Sequence, residues 1–173
     1  MVTHFELFSL APSVDLDVAA LEALHRKLAM ETHPDRAGTD THSRRVAAER
    51  SAALNEAVKV LRDPIRRALY VLELKGVKLE SEQAAAKVKM PKDFLEEIME
   101  QREALEAVKA TRQLATAHAM AEQIRATRSR TLELGQQALR RDDVPTATTA
   151  LARVRYYTRF LEEVDAFEEE LQS

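Results

Sequence analysis

Apolar residues recur at spacings of three and four along most of this 173-residue chain, which is the period of amphipathic helices. In the first half, the pattern predicts a short apolar turn at Thr3–Leu10 and helices at about Asp17–Glu31, Ser43–Arg62 and Pro64–Gly76. The proline suits the first turn of its helix and the glycine suits the end, because proline lacks an N–H and glycine readily adopts positive φ. The first half is therefore predicted to be helical.

Both long helices of the first half have one apolar face. The apolar positions are Val18, Leu21, Leu24 and Leu28 in the first, and Val46, Ala53, Leu54, Ala57, Val58 and Leu61 in the second. Helical-wheel geometry places Arg26 and Lys27 on the opposite, solvent side, and Ser13 or Asp15 can cap the first helix. Facing apolar stripes, separated by a loop of about ten residues, predict an antiparallel helical hairpin.

The second half contains three longer periodic segments after an irregular, charged stretch at residues 77–90. Helices are predicted at about Lys92–Val108, Thr111–Arg141 and Pro145–Leu171, and the Asp-Asp pair before the last helix can cap it. The apolar seam of the last helix comprises Ala147, Leu151, Val154, Thr158, Leu161, Val164 and Leu171. Such a seam is typical of a small helical bundle.

Composition supports the same fold class. The chain has only 3 glycines and 5 prolines, and good helix formers dominate the rest. We predict an all-α protein in which a helical hairpin with flanking helices precedes a C-terminal three-helix bundle. The predicted domains are residues 1–76 and 91–173, joined by a connector at 77–90.

Charge and cysteine content exclude several kinds of function. The net charge of −3 provides no overall basic field for nucleic acid or anionic membranes. The chain has no cysteine, which excludes disulfides, thiolate metal sites and a cysteine nucleophile. No apolar run approaches the length of a membrane span, and the N-terminus does not resemble a signal peptide. We therefore expect a cytoplasmic protein with neither a nucleic-acid nor a membrane partner.

Catalysis and nucleic-acid binding are the rival functions. The five histidines are scattered, and the chain has no Gly-rich phosphate loop or nucleophile elbow, so we expect no enzyme, metal site or cofactor. Local basic clusters occur at Arg125, Arg128 and Arg130 and at Arg140 and Arg141. Because Glu133 and Asp142 interrupt these clusters, a solvated helix face is the simpler interpretation.

The tripeptide His33-Pro34-Asp35 stands at the end of the first long helical pattern. Proline cannot continue a hydrogen-bonded helix and disfavours the α region for the residue before it, so the helix must stop here. The simple alternative is a helix stop in which His33 caps a carbonyl. The tripeptide and the residues before it, Arg26–Met30, resemble the end of helix II in J-domains. The later segments Leu54–Leu61 and Asp63–Tyr70 resemble the end of helix III and the residues that follow it.

This resemblance implies a function. J-domains dock on an ATPase chaperone of the heat-shock class and stimulate its ATP hydrolysis. By position, His33, Pro34 and Asp35 would form the essential loop, and Arg26 and Lys27 would belong to the basic docking face. Two residues next to the tripeptide depart from the usual pattern, because Thr32 stands where an aromatic residue is common and Glu31 where a basic one is common. These departures suggest a weaker or more selective choice of partner.

The helix predicted from Lys92 has two apolar stripes. Its core side is expected to comprise Phe94, Ile98, Leu105 and Val108. Leu95 and Met99 lie off that side, and Tyr156 of the last helix is expected to be exposed with Phe160 beside it. Exposed Leu, Met and Tyr side chains close together would make a plausible docking patch, although scattered surface apolar residues are common.

A J-domain, a short connector and a three-helix bundle together resemble the HscB family, the co-chaperones of iron–sulfur cluster assembly. The segments Asp93–Leu105 and Arg153–Tyr156 are similar to the family's client-binding helix and to the segment with its exposed aromatic residue. The residues that would contact the client, an IscU-type cluster scaffold protein, are Leu95, Met99, Glu100, Glu103 and Tyr156.

The resemblance also implies the second partner, a heat-shock ATPase of the HscA or DnaK type to which the scaffold would be presented. Glu96 departs from the family, which commonly has an apolar residue there, so the patch is expected to be smaller and the affinity modest. The serious alternative is a J-domain co-chaperone for a different client, which would differ from this interpretation only in the bundle.

Overall fold

The computed structural model describes residues 2–32, 40–79, 84 and 87–172, and these residues contain helices, turns and loops but no strand. The predicted all-α class is confirmed. The elements are a short 3₁₀ helix at Glu6–Phe8, α1 (Val18–Glu31), α2 (Thr41–Arg62), α3 (Pro64–Leu74), α4 (Lys92–Ala110), α5 (Leu114–Arg140) and α6 (Val144–Gln172).

The chain forms two compact units, Met1–Val71 and Leu72–Ser173. The division falls within α3, close to the end of the first half that the hydrophobic pattern indicates. In the first unit α1 packs against α2, and in the second unit α5 and α6 form the most extensive pair, with α4 packed on both.

Capping side chains set the ends of α1. Asp17 is the N-cap, and its carboxylate accepts a hydrogen bond from the N–H of Ala20 at 3.0 Å. The prediction that Ser13 or Asp15 caps this helix is wrong, because the Ser13 hydroxyl instead accepts from the N–H of Asp15 at 3.0 Å within the preceding loop. At the other end, Thr32 donates both its N–H and its hydroxyl to the Leu28 carbonyl, at 2.9 and 2.8 Å.

The corner between α2 and α3 has the predicted chemistry. Pro64 is the first residue of α3, where its missing N–H is no loss. The Asp63 carboxylate accepts from the N–H groups of Ile65 and Arg66 at 2.9 and 2.8 Å. Gly76 has φ of +91° and donates its N–H to the Glu73 carbonyl at 2.8 Å, so a glycine ends this segment because the turn needs positive φ.

The core of the first unit is small. Its fully buried side chains include Phe5, Phe8, Leu21, Leu54, Ala57 and Leu61. Val46 was predicted to lie on the apolar side of α2, but it is 47% exposed. The described residues opposite it at the end of α1 are Glu31 and Thr32, and a groove of about 380 Å³ remains between the two helix ends.

In the second unit, α6 is buried along two faces rather than one. The predicted seam is confirmed at Ala147, Leu151, Val154, Leu161 and Val164. A second set of buried residues, which the single seam missed, comprises Ala150, Ala152, Tyr157, Phe160 and Phe167. The second face is buried because α4 packs on α6 as well as on α5, with Phe94 edge-on to Tyr157 at a centroid distance of 5.9 Å.

Candidate functional site

Two surfaces carry the residues that the sequence singled out, and the first lies on α1. Arg26 and Lys27 are exposed on this helix, as predicted, and Met30 near its end is 63% exposed. The tripeptide His33-Pro34-Asp35 lies outside the described residues, so its geometry and its role stay predictions. In its described part, this surface is a helix face with two exposed cationic side chains, on a helix that ends shortly before the tripeptide.

Thr32 has a local structural role that its departure from the J-domain pattern did not reveal. Its N–H makes the ordinary helical hydrogen bond to the Leu28 carbonyl, and its hydroxyl donates a second hydrogen bond to the same oxygen. A threonine can make this side-chain bond, whereas an aromatic residue cannot. Glu31, the other departure, is exposed beside it.

The start of α2, on the other side of the tripeptide, is fixed by Asp40. Its carboxylate accepts from the N–H and the hydroxyl of Ser43, each at 3.0 Å. These hydrogen bonds lower the pKa of Asp40 below its ordinary value, so the carboxylate stays ionised to a lower pH than a free aspartate would. The two helix ends next to the tripeptide are therefore both held by side-chain caps.

The second surface lies on α4. Leu95 is 39% exposed and Met99 is 62% exposed, while Phe94, Ile98 and Leu105 of the same helix are buried, so the predicted second apolar stripe is confirmed. Acidic side chains surround the exposed pair, since Glu96, Glu97, Glu100 and Glu103 are all exposed. An apolar pair inside an acidic rim is a surface on which an apolar anchor with cationic neighbours can dock.

Tyr156 is half-buried rather than fully exposed, which corrects the expectation from the helical wheel. Its ring packs edge-on to Phe94 with a centroid distance of 5.7 Å and an interplanar angle of 79°. Phe160, expected beside it at the surface, is 3% exposed and belongs to the core. The reason is that α4 covers this side of α6, which a wheel for a single helix cannot show.

Phe94 is the centre of an aromatic cluster that sequence reasoning missed. Tyr156 and Tyr157 both meet its ring edge-on, and the guanidinium carbon of Arg153 lies 4.7 Å from its centroid. Burial raises the pKa of the Tyr157 hydroxyl, and nearby Glu97 adds to that shift. The cluster connects α4 to α6, and it ties Tyr156 to the residue directly before Leu95. The one sequence signal for the cluster is the three-residue spacing of Arg153 and Tyr156, which places both side chains on the same side of one helix.

In each of the two basic clusters, one arginine has an acidic partner. Arg125 pairs with Glu122 at 2.5 Å and lies 3.8 Å from Asp165 of α6. Arg140 pairs with Glu133 at 3.1 Å. These pairs favour the interpretation of a solvated helix face.

In the part of the chain that the structure describes, His, Asp and Glu side chains nowhere gather into a group of three or more that could hold a metal ion. Within the same ranges, none of the helices is long and apolar enough to cross a membrane.

Two family models match the chain. The model described as the DnaJ domain matches residues 3–70, and the model described as the HSCB C-terminal oligomerisation domain matches residues 90–165. The two matches cover the two predicted domains. The exposed surface of α1 lies in the first match, and the exposed surface of α4 lies in the second.

Curated relatives match this chain, one of them along nearly its whole length. The co-chaperone protein HscB homolog of Burkholderia multivorans is 34% identical over 172 residues, which are 99% of this chain and 97% of the relative. The homolog of Shewanella halifaxensis is 40% identical over 109 residues, 62% of this chain and 61% of that protein.

Solved structures show the same architecture. Chaperone HscB from Vibrio cholerae has a TM-score of 0.79 and 30% identity, with 98% of this chain and 99% of that chain covered. The human co-chaperone protein HscB has a TM-score of 0.82 at 24% identity, with 96% and 82% covered, and shows the shared fold. The predicted J-domain and C-terminal bundle are thereby confirmed, and the chain belongs to the HscB family of J-domain co-chaperones.

Proposed function

We propose that this protein stimulates ATP hydrolysis by a heat-shock ATPase of the HscA or DnaK type and delivers an IscU-type iron–sulfur scaffold protein to it. Residues 1–76 are the J-domain, residues 77–90 the connector and residues 91–173 the client-binding domain. The protein works in the cytoplasm as an adaptor between two proteins and catalyses no reaction itself.

One observation carries this proposal: Leu95 and Met99 are exposed on a helix whose opposite side, with Phe94, Ile98 and Leu105, is buried. An exposed second apolar stripe adds nothing to the stability of a monomeric protein, whereas a protein–protein contact needs such anchors. The stripe lies within the segment that matches the HSCB C-terminal model, in a chain whose first 70 residues match the DnaJ domain.

The ATPase-binding surface comprises Arg26 and Lys27 on α1 with His33, Pro34 and Asp35 after it. Exposed cations steer a partner with an acidic patch, mainly by raising the association rate. A carboxylate held on a rigid proline turn can accept charge-assisted hydrogen bonds from an arginine of the partner. A tenfold stimulation of hydrolysis requires only about 1.4 kcal/mol of differential stabilisation, which a few polar contacts can supply.

The client-binding surface comprises Leu95, Met99 and Tyr156, with Glu100 and Glu103 as polar partners. Tyr156 is held in place by Phe94 at 5.7 Å, so its exposed part is presented at little cost in side-chain entropy. Glu96, where relatives commonly have an apolar residue, is exposed and pairs with Lys92 at 3.1 Å. Because Glu96 supplies no apolar contact, Met99 carries more of the binding.

The ATPase half of the proposal is tested by single-turnover ATP hydrolysis on an HscA-type chaperone. Wild-type protein should accelerate hydrolysis, and His33→Gln should remove the acceleration because the imidazole and its hydrogen bonds are lost. His118→Gln, the same change in the second unit, is the matched control and should stimulate normally. Equal stimulation by wild type and His33→Gln would refute this assignment.

The client half is tested by titration calorimetry with an IscU-type scaffold protein. Changing Leu95, Met99 and Tyr156 to alanine together should abolish detectable binding, because anchors of this kind each contribute roughly 2 kcal/mol. Met30→Ala, which removes a similarly exposed methionine from the first unit, is the control and should bind as wild type does. Retention of full affinity by the triple variant, with its helical circular dichroism unchanged, would count against these residues.

A further inference from the structure

A groove of about 520 Å³ lies between the C-terminal half of α5 and the N-terminal half of α6. Thr131, Leu134 and Arg141 line it from α5 and the turn after it, and Thr149 and Arg153 line it from α6. Leu134 and Arg141 are seven residues apart, so they share one face about 10 Å apart along the helix axis. None of these residues belongs to either proposed surface.

Arg153 is the most unusual residue of the groove. Its guanidinium stacks on Phe94 at 4.7 Å, and its Nε is buried without a hydrogen-bond acceptor anywhere in the described part of the chain. A buried donor without an acceptor is unfavourable, and a guanidinium that no carboxylate neutralises is a ready receptor for one. The stacking holds the group in place for such a contact.

The groove has a small net positive charge, because two arginines, Arg141 and Arg153, line it with one carboxylate, Asp143. Arg141 forms no ion pair within the described ranges, and it lies beside two aspartates that are already engaged. Asp142 pairs with Lys75, and Asp143 accepts a hydrogen bond from the N–H of Thr146 at 3.1 Å. The hydrogen bond leaves the negative charge of Asp143 in place. Among the described residues, however, no carboxylate forms an ion pair with Arg141 or Arg153, so both cations remain available to an external anion.

Leu134 gives the groove an apolar anchor point. It is 59% exposed, more than any other large apolar side chain of the second unit except Met99 among those that the structure describes. An exposed leucine between two arginines suits a segment that carries both an apolar side chain and carboxylates.

The groove is continuous with the client surface. Arg153 precedes Tyr156 by one helical turn, and both side chains contact the same Phe94 ring. The client surface has an acidic rim with Glu100 and Glu103, whereas the groove is basic. A client that spans both would meet opposite charges at its two ends, which favours one orientation over its reverse.

We propose that this groove is a second client contact, which binds an extended acidic segment of the scaffold protein. An apolar side chain of the segment packs on Leu134, and its carboxylates pair with Arg141 and Arg153. The inference rests on the proposed function, because the client is the scaffold bound at Leu95, Met99 and Tyr156.

Charge reversal tests the contact. Arg141→Glu should weaken binding of an IscU-type scaffold by about tenfold in calorimetry, and the loss should shrink when sodium chloride is raised from about 0.05 to 0.5 M. Arg112→Glu is the matched control, since Arg112 is an exposed arginine in the turn at the other end of α5. It should bind as wild type does, and ATPase stimulation without scaffold should be the same for all three proteins.

Each outcome of the calorimetry decides one question. Equal affinity of wild type and Arg141→Glu would overturn the groove contact and leave the proposed function standing. Absence of scaffold binding by the wild type itself would remove the proposed client, and the groove contact with it. Equal losses in Arg141→Glu and Arg112→Glu would show a general charge effect and overturn the assignment of a specific groove.

Cross-linking identifies the occupant. A photoreactive benzoylphenylalanine in place of Leu134 should cross-link to the scaffold, and mass spectrometry should locate the attachment in an acidic segment. Attachment to a basic segment, or to a second copy of this chain, would contradict the proposal. Failure to cross-link while the scaffold binds with full affinity would contradict it as well.

Discussion

At the scale of single residues, Arg67 shows how a charged side chain can hold a small core together. It is 7% exposed, and its guanidinium donates to the carbonyls of Val14 at 2.9 Å and Leu61 at 2.6 Å. Burial lowers its pKa, and the nearby charges of Asp63 and Asp15 oppose that shift. The arginine thereby ties the loop before α1 to the last turn of α2, whose carbonyls lack helical partners.

Arg67→Met is expected to lower the free energy of unfolding by about 1–3 kcal/mol, because two buried carbonyls lose their donors. Urea denaturation followed by circular dichroism measures the change. Arg66→Met is the matched control, since Arg66 is the adjacent exposed arginine and its side chain should contribute little. If both variants were as stable as the wild type, Arg67 would have no such role.

Asp143 provides a prediction for pH. Hydrogen bonds from the side chain and the N–H of Thr146 lower the pKa of its carboxyl group. A carboxyl group with a lowered folded pKa adds stability above its unfolded pKa of about 3.9, and this contribution is lost as the pH falls through the folded pKa. Asp143→Ala should therefore unfold at a lower urea concentration at neutral pH, and the difference should vanish towards about pH 2.

Asp143→Asn separates the charge from the capping bond. Asparagine is also a good N-cap, so this variant should keep most of the stability at neutral pH. A difference between Asp143→Ala and wild type that stays constant with pH would show that ionisation of Asp143 plays no part.

At the scale of elements, the contact between α5 and α6 depends on a helical glycine. A Cβ atom at Gly135 would lie 3.0 Å from Leu151 Cδ2, 3.1 Å from its Cγ and 3.5 Å from the Ala150 Cβ. Leu151 is fully buried, so it has little room to move. Glycine disfavours a helix interior by about 1 kcal/mol, and here the close approach of the two helices compensates for that loss.

Gly135→Val is expected to destabilise the second unit by about 1–3 kcal/mol, because the branched side chain overpacks the contact with Leu151. Ala126→Val, at an exposed position of the same helix, controls for the lower helix propensity of valine and should cost only a few tenths of a kcal/mol. Thermal unfolding of the two variants compares them directly. A Gly135→Val protein as stable as Ala126→Val would mean that the helices can separate without penalty.

At the scale of the whole molecule, the proposed adaptor needs both surfaces in one chain. When one chain binds both partners, the scaffold is held close to the ATPase and its effective concentration there is raised. This increase requires that the chain that binds the scaffold also docks on the ATPase. Two variants that each keep only one of the two binding surfaces cannot hold the scaffold close to the ATPase.

A mixing experiment measures this linkage. The scaffold should enhance ATPase stimulation by the wild type beyond the stimulation that the J-domain provides alone. An equimolar mixture of His33→Gln and the Leu95, Met99 and Tyr156 triple alanine variant should show J-domain stimulation without the enhancement. Full enhancement by the mixture would contradict the adaptor mechanism.

The helical period and the capping and turn residues in the chain were enough to predict the all-α class, the six long helices and the exposure of Arg26, Lys27, Leu95 and Met99. These features are local, because a helix and its apolar stripe follow from residues within a few turns. The same information was insufficient where a second helix decides burial. Tyr156 and Phe160 were misplaced, and the Phe94 cluster was missed, because α4 covers one side of α6.

The local pattern thus determined which segments are helical and which side of each is apolar, since both depend on short-range periodicity. Tertiary packing decided which apolar side chains are buried and which polar groups lack partners, since both depend on residues far apart in the chain. The Arg67 bonds, the close approach at Gly135 and the groove at Arg153 are all of this second kind.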